Sequence, residues 1–105
     1  MSFKESPRPI ALITGSARRI GAEMARMLAG LGWSLILHYH NSKAEASALC
    51  MELNAQGCET WPIKANLLNP ADLDQLSERV IELTQYRGLG LVIHNASVFQ
   101  TCRFE

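Results

Sequence analysis

The chain has 105 residues, 48% of them apolar, so we expect one small domain with a packed core rather than a disordered segment. Ten basic residues balance ten acidic ones, which argues against a nucleic-acid binder or a membrane-surface binder. The sequence has no apolar run of membrane-spanning length and no signal-type segment at its start, so it predicts a cytoplasmic protein.

The first part of the chain predicts a strand, a helix and a second strand. The apolar run 9–13 is short and bounded by proline and glycine, which is typical of a buried strand. Residues 19–31 repeat apolar side chains at helical spacing, and Gly32 stands where a helix cap is expected. Residues 33–39 form the second strand. The predicted apolar face of this helix consists of Ile20, Met24, Met27, Leu28 and Leu31.

A second helix and a weaker strand follow. Ser42 is a candidate cap for this helix, and Gly57 ends it. Residues 59–64 form the third strand, in which Pro62 cannot donate to a central ladder and therefore predicts a position at the sheet edge. The predicted apolar face of the second helix consists of Ala46, Leu49, Cys50 and Leu53.

The last predicted elements are a third helix and a fourth strand. Asn69 followed by Pro70 is typical of a helix start, and residues 89–94 form the strand. Strict alternation predicts an α/β fold of Rossmann type, a parallel sheet with flanking helices and strand order 3-2-1-4. The apolar face of the third helix consists of Leu73, Leu76, Val80 and Leu83.

A glycine-rich turn, residues 14–21, joins the first strand to the first helix. Gly15 permits a tight turn directly after the strand, and Gly21 permits the helix to pack closely on the sheet. Free N–H groups at the helix start would then face a pyrophosphate. An ordinary strand-to-helix turn is the alternative, but glycines placed between a strand and a helix favour a dinucleotide site.

No metal site or disulfide framework is predicted. The three cysteines are far apart and lack a Cys-x-x-Cys pair, so reduced thiols are expected. The three histidines lie in or beside apolar strand-like runs, which favours structural or cofactor-contact roles over metal binding. These residues are Cys50, Cys58, Cys102, His38, His40 and His94.

The turn resembles the cofactor loop of the short-chain dehydrogenase/reductase family, Thr-Gly-x-x-x-Gly-x-Gly. Arg19 replaces the middle glycine, as in the pteridine reductases and dihydromonapterin reductases. Residues 38–42 resemble the His-Tyr-His-Arg-Ser segment of pteridine reductases, and residues 94–99 resemble their Asn-Ala-Ser-x-aromatic segment. Asn66, followed by leucine, stands where the family has Asp-Leu beside the adenine. The resemblance extends over residues 10–99.

The resemblance implies an NADPH-dependent reductase of a dihydropteridine, with residues 1–105 forming the N-terminal part of a single NADP(H)-binding domain. Hydride would pass from the nicotinamide to a C=N bond of the pterin. The implied cofactor-binding residues are Gly15, Ser16, Arg18, Arg19, Ile20, Gly21, His40, Asn41, Ser42, Asn66, Leu67, Asn95, Ala96 and Ser97. The implied substrate-binding residues are Arg19, Ser97 and Phe99, the last stacking on the pterin ring.

NADP(H) is predicted over NAD(H) because residues 38–42 contain no acid, whereas an NAD site places a carboxylate there for the ribose. Arg18 matches a family arginine that contacts the adenosine phosphate. The alternatives are that Arg18 and Arg19 are solvated surface charges, that His38 is a strand histidine with satisfied partners, and that Phe99 is an ordinary buried aromatic.

The family's catalytic Tyr-x-x-x-Lys pair is expected to be absent from this chain. Tyr39 and Lys43 have the spacing, but a strand end and a helix start cannot bring them together as one helical turn does. The chain alone would then be inactive and at most bind the cofactor. A short-chain reductase of another carbonyl substrate and a non-catalytic nucleotide-binding module remain the alternatives. We also expect a small-molecule substrate and a homo-oligomer, and neither a nucleic-acid nor a membrane partner.

Overall fold

A computed structural model describes residues 8–17 and 19–95 of the chain. Strands and helices alternate through this part, as predicted, and their ends differ from the predicted ones by one or two residues. The elements are β1 (Ile10–Thr14), α1 (Arg19–Gly30), β2 (Ser34–Tyr39), α2 (Lys43–Ala55), β3 (Thr60–Lys64), α3 (Pro70–Thr84) and β4 (Leu89–His94).

The four strands form one parallel sheet in the order β3-β2-β1-β4, which confirms the predicted Rossmann-type topology. In the register of the sheet, Thr14 at the end of β1 lies beside His94 at the end of β4. Pro62 lies on β3 opposite Leu37 of β2, and β3 is an edge strand. A proline without an N–H is therefore tolerated where no further strand needs a donor.

Apolar side chains cover both faces of the sheet, which gives a three-layer molecule. On one face, Ala11 and Leu35 belong to a core cluster formed with α1 and α2. On the other face, Ile10 and Ile36 pack with Leu76 and Val80 of α3. Alternate residues of β1 and β2 thus face opposite helices, as the two-residue period of a strand requires.

The predicted apolar face of α1 is wrong for three residues. Ile20, Met27 and Leu31 are 61%, 60% and 70% exposed, whereas Leu28 is buried. The buried stripe of α1 is made mainly of small residues, which let the helix backbone approach the sheet closely. Its members are Gly21, Ala22, Ala25 and Leu28.

The other two helices follow their predicted faces more closely. On α2, all four predicted residues are buried. On α3, Leu76 and Val80 are buried and Leu83 packs against them, but Leu73 is exposed. In the part of the chain that the structure describes, no helix combines the length and the apolar character needed to cross a membrane.

Candidate functional site

The candidate site is a crevice at the carboxyl ends of β1 and β4. From β1 the chain passes to β2 on one side of the sheet, and from β3 it crosses back to β4 on the other side. The connections on either side of this point lie on opposite faces of the sheet, and α/β sheets bind ligands in a crevice at such a point. The loop from Thr14 to α1 begins here.

Side chains on both strands hold the crevice together. The backbone N–H of Asn95 donates to the hydroxyl of Thr14 at 2.8 Å, and this hydroxyl lies 2.9 Å from Nδ1 of His94. The side-chain amide of Asn95 also donates a hydrogen bond to the carbonyl of Gly15, at 3.3 Å. The residue after β4 is therefore fixed against the start of the loop.

Both glycines of the predicted loop are required by the backbone. Gly15 has a φ of 62°, in the left-handed region that glycine adopts without strain. A Cβ on Gly21 would collide with the carbonyl of Gly15 and would lie 2.9 Å from Cα of Ser16 and 2.8 Å from Nδ2 of Asn95. The predicted close approach of helix and sheet at Gly21 is confirmed.

Ser16 is fully buried and anchors the loop to β2. Its backbone N–H and its hydroxyl both donate to the carbonyl of His38, each at 2.9 Å. Both polar groups are thus used within the protein. Cofactor binding by Ser16 stays a prediction, and the observed role of its side chain is to shape the loop.

His38 is the second anchor of the loop, and it is buried at the end of β2. Its Nδ1 accepts the N–H of Gly15 at 3.0 Å, and its Nε2 lies 2.8 Å from the carbonyl of Ala65. Burial lowers the pKa of His38 below its ordinary value of 6.5, and the hydrogen bond to Ala65 opposes this shift. The interpretation of His38 as a strand histidine with satisfied partners is therefore confirmed.

Arg19 begins α1 with a φ of 43°, the only positive value among the non-glycine residues that the structure describes. A left-handed conformation costs a residue with a Cβ about 1–2 kcal/mol. The chain thus keeps a backbone shape suited to the family's glycine while placing an exposed arginine there.

An open depression of about 520 Å³ lies along the outer side of α1. It is lined by Arg19, Ile20, Glu23, Met24 and Met27. The crevice residues Thr14, Gly15 and Asn95 do not line it. We therefore do not assign the cofactor to this depression.

The residues predicted to bind the adenosine end of the cofactor follow two neighbouring strands, β2 and β3. His40 and Asn41 are exposed just after β2, and Ser42 precedes α2 without making a side-chain capping bond, contrary to its predicted role as a cap. Asn66 and Leu67 follow β3, whose Lys64 pairs with Tyr39 of β2. The two segments therefore meet at one edge of the sheet, beside the loop.

Local hydrogen bonds shape the segment after β3. The backbone N–H of Asn66 donates to the carboxylate of Asp72 at 2.8 Å, and its side-chain oxygen accepts the N–H of Leu68. Asn69 caps α3 as predicted by accepting the N–H groups of Ala71 and Asp72. Asn66 therefore has a structural role in the turn, and its contact with a cofactor stays a prediction.

Four predicted site residues lie outside the described part of the chain: Arg18, Ala96, Ser97 and Phe99. Tyr39 ends β2 and Lys43 begins α2, which supports their rejection as a catalytic pair. Among residues 8–17 and 19–95, no cluster of three histidine, cysteine or acidic side chains could hold a metal ion.

Two roles that the structure shows were not predicted from the sequence: the bonding of the Thr14 hydroxyl to the residue after β4, and the anchoring of the loop by His38. One signal was present for His38: it lies next to the last residue of a largely apolar strand, and the neighbouring strand leads into the glycine-rich turn. A polar ring buried at that place needs partners on adjacent strand ends. The identity of these partners depends on the sheet register, which the sequence does not show.

Comparisons with known proteins agree with this geometry. The short chain dehydrogenase family model matches residues 9–105. The chain is 34% identical over 89 residues to the 3-oxoacyl-[acyl-carrier-protein] reductase FabG of Staphylococcus aureus, covering 84% of the chain and 35% of that protein. It is equally identical, over 89 residues, to the short chain dehydrogenase mdpC of Emericella nidulans, covering 85% and 33%.

A third relative is the 3-oxoacyl-[acyl-carrier-protein] reductase of Synechocystis, which is 30% identical over 89 residues, covering 85% of the chain and 35% of the protein. The chain thus spans about a third of the length of these relatives. The family match, by contrast, extends over nearly the whole chain. On this match and on its strand order, glycine-rich loop and crevice, the chain belongs to the short-chain dehydrogenase family.

Proposed function

We propose that this chain is the N-terminal, cofactor-binding part of an NADP(H)-dependent short-chain reductase. The observation that carries the proposal is the loop between β1 and α1, which turns at Gly15 and passes under Gly21 with no room for a side chain. The helix that follows starts at the crevice, where its first N–H groups have no partners within the helix. Such a start suits the pyrophosphate of a dinucleotide.

The segment after β2 supports NADP(H) over NAD(H). It contains no acidic side chain that would repel a 2′-phosphate or accept a hydrogen bond from a ribose hydroxyl. His40 and Asn41 are exposed, and the hydroxyl of Ser42 is not used to cap α2. These donors lie at the edge of the sheet where the adenosine end of the cofactor would bind.

A binding comparison tests the cofactor assignment. In the whole protein, Arg18→Ala should weaken NADPH binding by about 1–3 kcal/mol and NADH binding much less, because only NADPH offers a phosphate to the guanidinium. Dissociation constants for both cofactors, measured by calorimetry, check this. Arg26→Ala is the matched control, since Arg26 pairs with Glu52 and Glu23 on the outside of the protein. Equal losses for both cofactors in Arg18→Ala would contradict the assignment.

The substrate that we propose is a dihydropteridine, on the strength of Arg19 and Phe99. Arg19 keeps a strained backbone at the place of a glycine, and an exposed arginine held there suits a polar heterocycle beside the cofactor phosphates. A 3-oxoacyl thioester is the second candidate, because two of the relatives are named as reductases of such a substrate. In both cases hydride reaches a polarised double bond, C=N or C=O.

Turnover decides between these candidates. The whole protein is assayed with NADPH and either a dihydropteridine or a 3-oxoacyl thioester, and we expect the larger kcat/KM for the pteridine. A larger kcat/KM for the thioester would contradict the pteridine assignment and support a carbonyl substrate. NADPH binding without turnover of either compound would favour a non-catalytic nucleotide-binding module.

Phe99 provides a separate test of the pteridine assignment. Phe99→Ala should weaken pteridine binding while leaving NADPH affinity nearly unchanged, because the ring is proposed to stack on the substrate. Substrate KM and the NADPH dissociation constant are measured on the same preparation. A parallel fall in both affinities would show that Phe99 is structural.

A further inference from the structure

His38 makes two hydrogen bonds that fix which ring nitrogen carries its proton. The backbone N–H of Gly15 can only donate, so Nδ1, at 3.0 Å, must be the unprotonated acceptor. The carbonyl of Ala65 can only accept, so Nε2, at 2.8 Å, must carry the hydrogen. His38 is 2% exposed, so bulk water does not compete for these partners.

We propose that His38 is the positioning residue of the cofactor loop: its neutral ring, protonated on Nε2, holds Gly15 in the conformation that binds a dinucleotide, and a second proton releases it. The ligand in this inference rests on the proposed function, whereas the contact between His38 and Gly15 does not. His38 acts through Gly15 and does not itself touch the cofactor.

Protonation of Nδ1 would place two N–H groups against each other at the contact with Gly15. One of them must then move, and the ring is enclosed between the ends of β1 and β3. Gly15 is partly buried, whereas His38 is 2% exposed, so the turn at Gly15 is the part of the pair with room to move, while Ser16 keeps its bond to the carbonyl of His38. Loss of this contact therefore affects the turn itself rather than the end of β2.

The surroundings of His38 favour the neutral ring. Burial lowers its pKa, charges on His40 and His94 lower it further, and the Ala65 carbonyl opposes the shift. The charged or titratable residues described at the carboxyl ends of the strands and in the first turns of the helices that adjoin them include Arg19, Tyr39, His40, Lys43, Glu45, Lys64, Asp72 and His94. Asp72 accepts the N–H of Asn66 and is not bonded to the ring.

The sign of the pH effect follows from this pKa. At pH values well above 6.5 the ring is neutral in the folded and in the unfolded chain, and the Gly15 contact is complete. As the pH falls through the lowered pKa of His38, the folded protein takes up the proton and loses the contact. If only the neutral form binds, the apparent dissociation constant rises about tenfold for each further pH unit.

The first test needs no ligand. The protein is labelled at histidine and glycine with NMR-active isotopes and titrated from about pH 8 to about pH 5. We expect His38 to carry its hydrogen on Nε2 and the Gly15 amide to shift and exchange faster as His38 takes up a proton. A hydrogen on Nδ1, or a Gly15 amide that does not follow the titration, would overturn the proposal.

The second test uses variants that keep one contact at a time. His38→Asn places an acceptor oxygen close to the position of Nδ1, whereas His38→Gln reaches toward Ala65 and leaves Gly15 without an acceptor. We expect His38→Asn to bind NADP⁺ at low pH more tightly than the wild type does. Its dissociation constant should also lack the part of the pH dependence that protonation of His38 causes in the wild type. His38→Gln, the matched control, should bind weakly at every pH.

The two proposals fail in different ways. If the wild type binds no NADP⁺ at any pH, the proposed function fails and the ligand-free titration still decides the role of His38. If the wild type binds and both variants follow its pH profile, His38 does not position the loop. Titration of the cofactor phosphate is common to all three proteins and cancels in the comparison.

Discussion

At the scale of single residues, the loop between β1 and α1 needs particular residues for two reasons: a positive φ and a lack of space for a side chain. Gly15 and Arg19 have positive φ values of 62° and 43°, but only the glycine adopts this conformation without strain. Gly21 is required for a different reason, because a Cβ there would meet the carbonyl of Gly15 and the side chain of Asn95. Stability and the geometry of the candidate site are therefore coupled at three residues between the end of β1 and the first turn of α1.

Alanine substitution at two glycines of the same helix should have opposite effects. Gly21→Ala should destabilise the fold by about 1–3 kcal/mol, since its Cβ would meet mostly backbone atoms, which cannot move aside cheaply. Gly30→Ala is the matched control: its Cβ would meet nothing within 4 Å, and we expect a gain of up to about 1 kcal/mol. Urea denaturation of both variants checks this, and a Gly21→Ala protein as stable as Gly30→Ala would contradict it.

At the scale of elements, the two ends of the sheet have different roles. At the amino end, Arg87 donates to the carbonyl of Arg8, to Glu59 and to Ser34, and it lies 5.7 Å from the ring centre of Trp61. These bonds join the beginnings of the strands. At the carboxyl end, His38 bonds to Gly15 of the loop, and Thr14 bonds to Asn95 after β4. We therefore expect the amino end to contribute mainly stability, whereas the carboxyl end carries the candidate site.

The caps of α2 and α3 should respond differently to the same substitution. Asn69 accepts two backbone N–H groups of α3, so Asn69→Ala should cost about 1 kcal/mol. Ser42 makes no side-chain capping bond with α2, so Ser42→Ala should leave the free energy of unfolding nearly unchanged. The same substitution should lower the affinity for NADPH more than the affinity for NADH. Urea denaturation without nucleotide gives the first quantity and calorimetry the second. A similar loss of stability in both variants would show that Ser42 caps α2 in solution.

At the scale of the whole molecule, β4 is the exposed part of the sheet in the described residues. It lies at the edge next to β1, and Val92 is 53% exposed. Edge strands present unpaired N–H and C=O groups, and β4 has neither a lysine nor a proline to prevent pairing with another chain. The outer side of α1 adds a second apolar area with Ile20, Met27 and Leu31.

We therefore predict that the 105-residue chain, studied alone, self-associates through the edge of β4 or through these apolar areas. A two-fold contact is the simplest closed arrangement. Sedimentation velocity over a concentration series measures the association, and Val92→Lys should weaken it. Met51→Lys, on an exposed position of α2, is the control for the added charge. A monomer at high concentration would show that the prediction is wrong.

Much of the fold could be predicted from the sequence because its signals are local. The periods of apolar residues gave the order of the elements, Pro62 indicated an edge strand, and Asn69 with Pro70 marked the start of α3. Each signal depends on dihedral preferences or side-chain spacing within a few residues. The position of the loop at the crevice then followed from the general topology of alternating strands and helices.

Only the tertiary structure decided which groups meet at the ends of the strands. The partners of His38 at Gly15 and Ala65 lie 23 and 27 residues away along the chain, so no local pattern identifies them. Tertiary packing also decided which face of α1 is buried. The small residues of this helix allow it to approach the sheet more closely than Ile20 and Met27 would allow. Sheet register and packing distance involve every element at once, whereas helical and strand periods require only neighbouring residues.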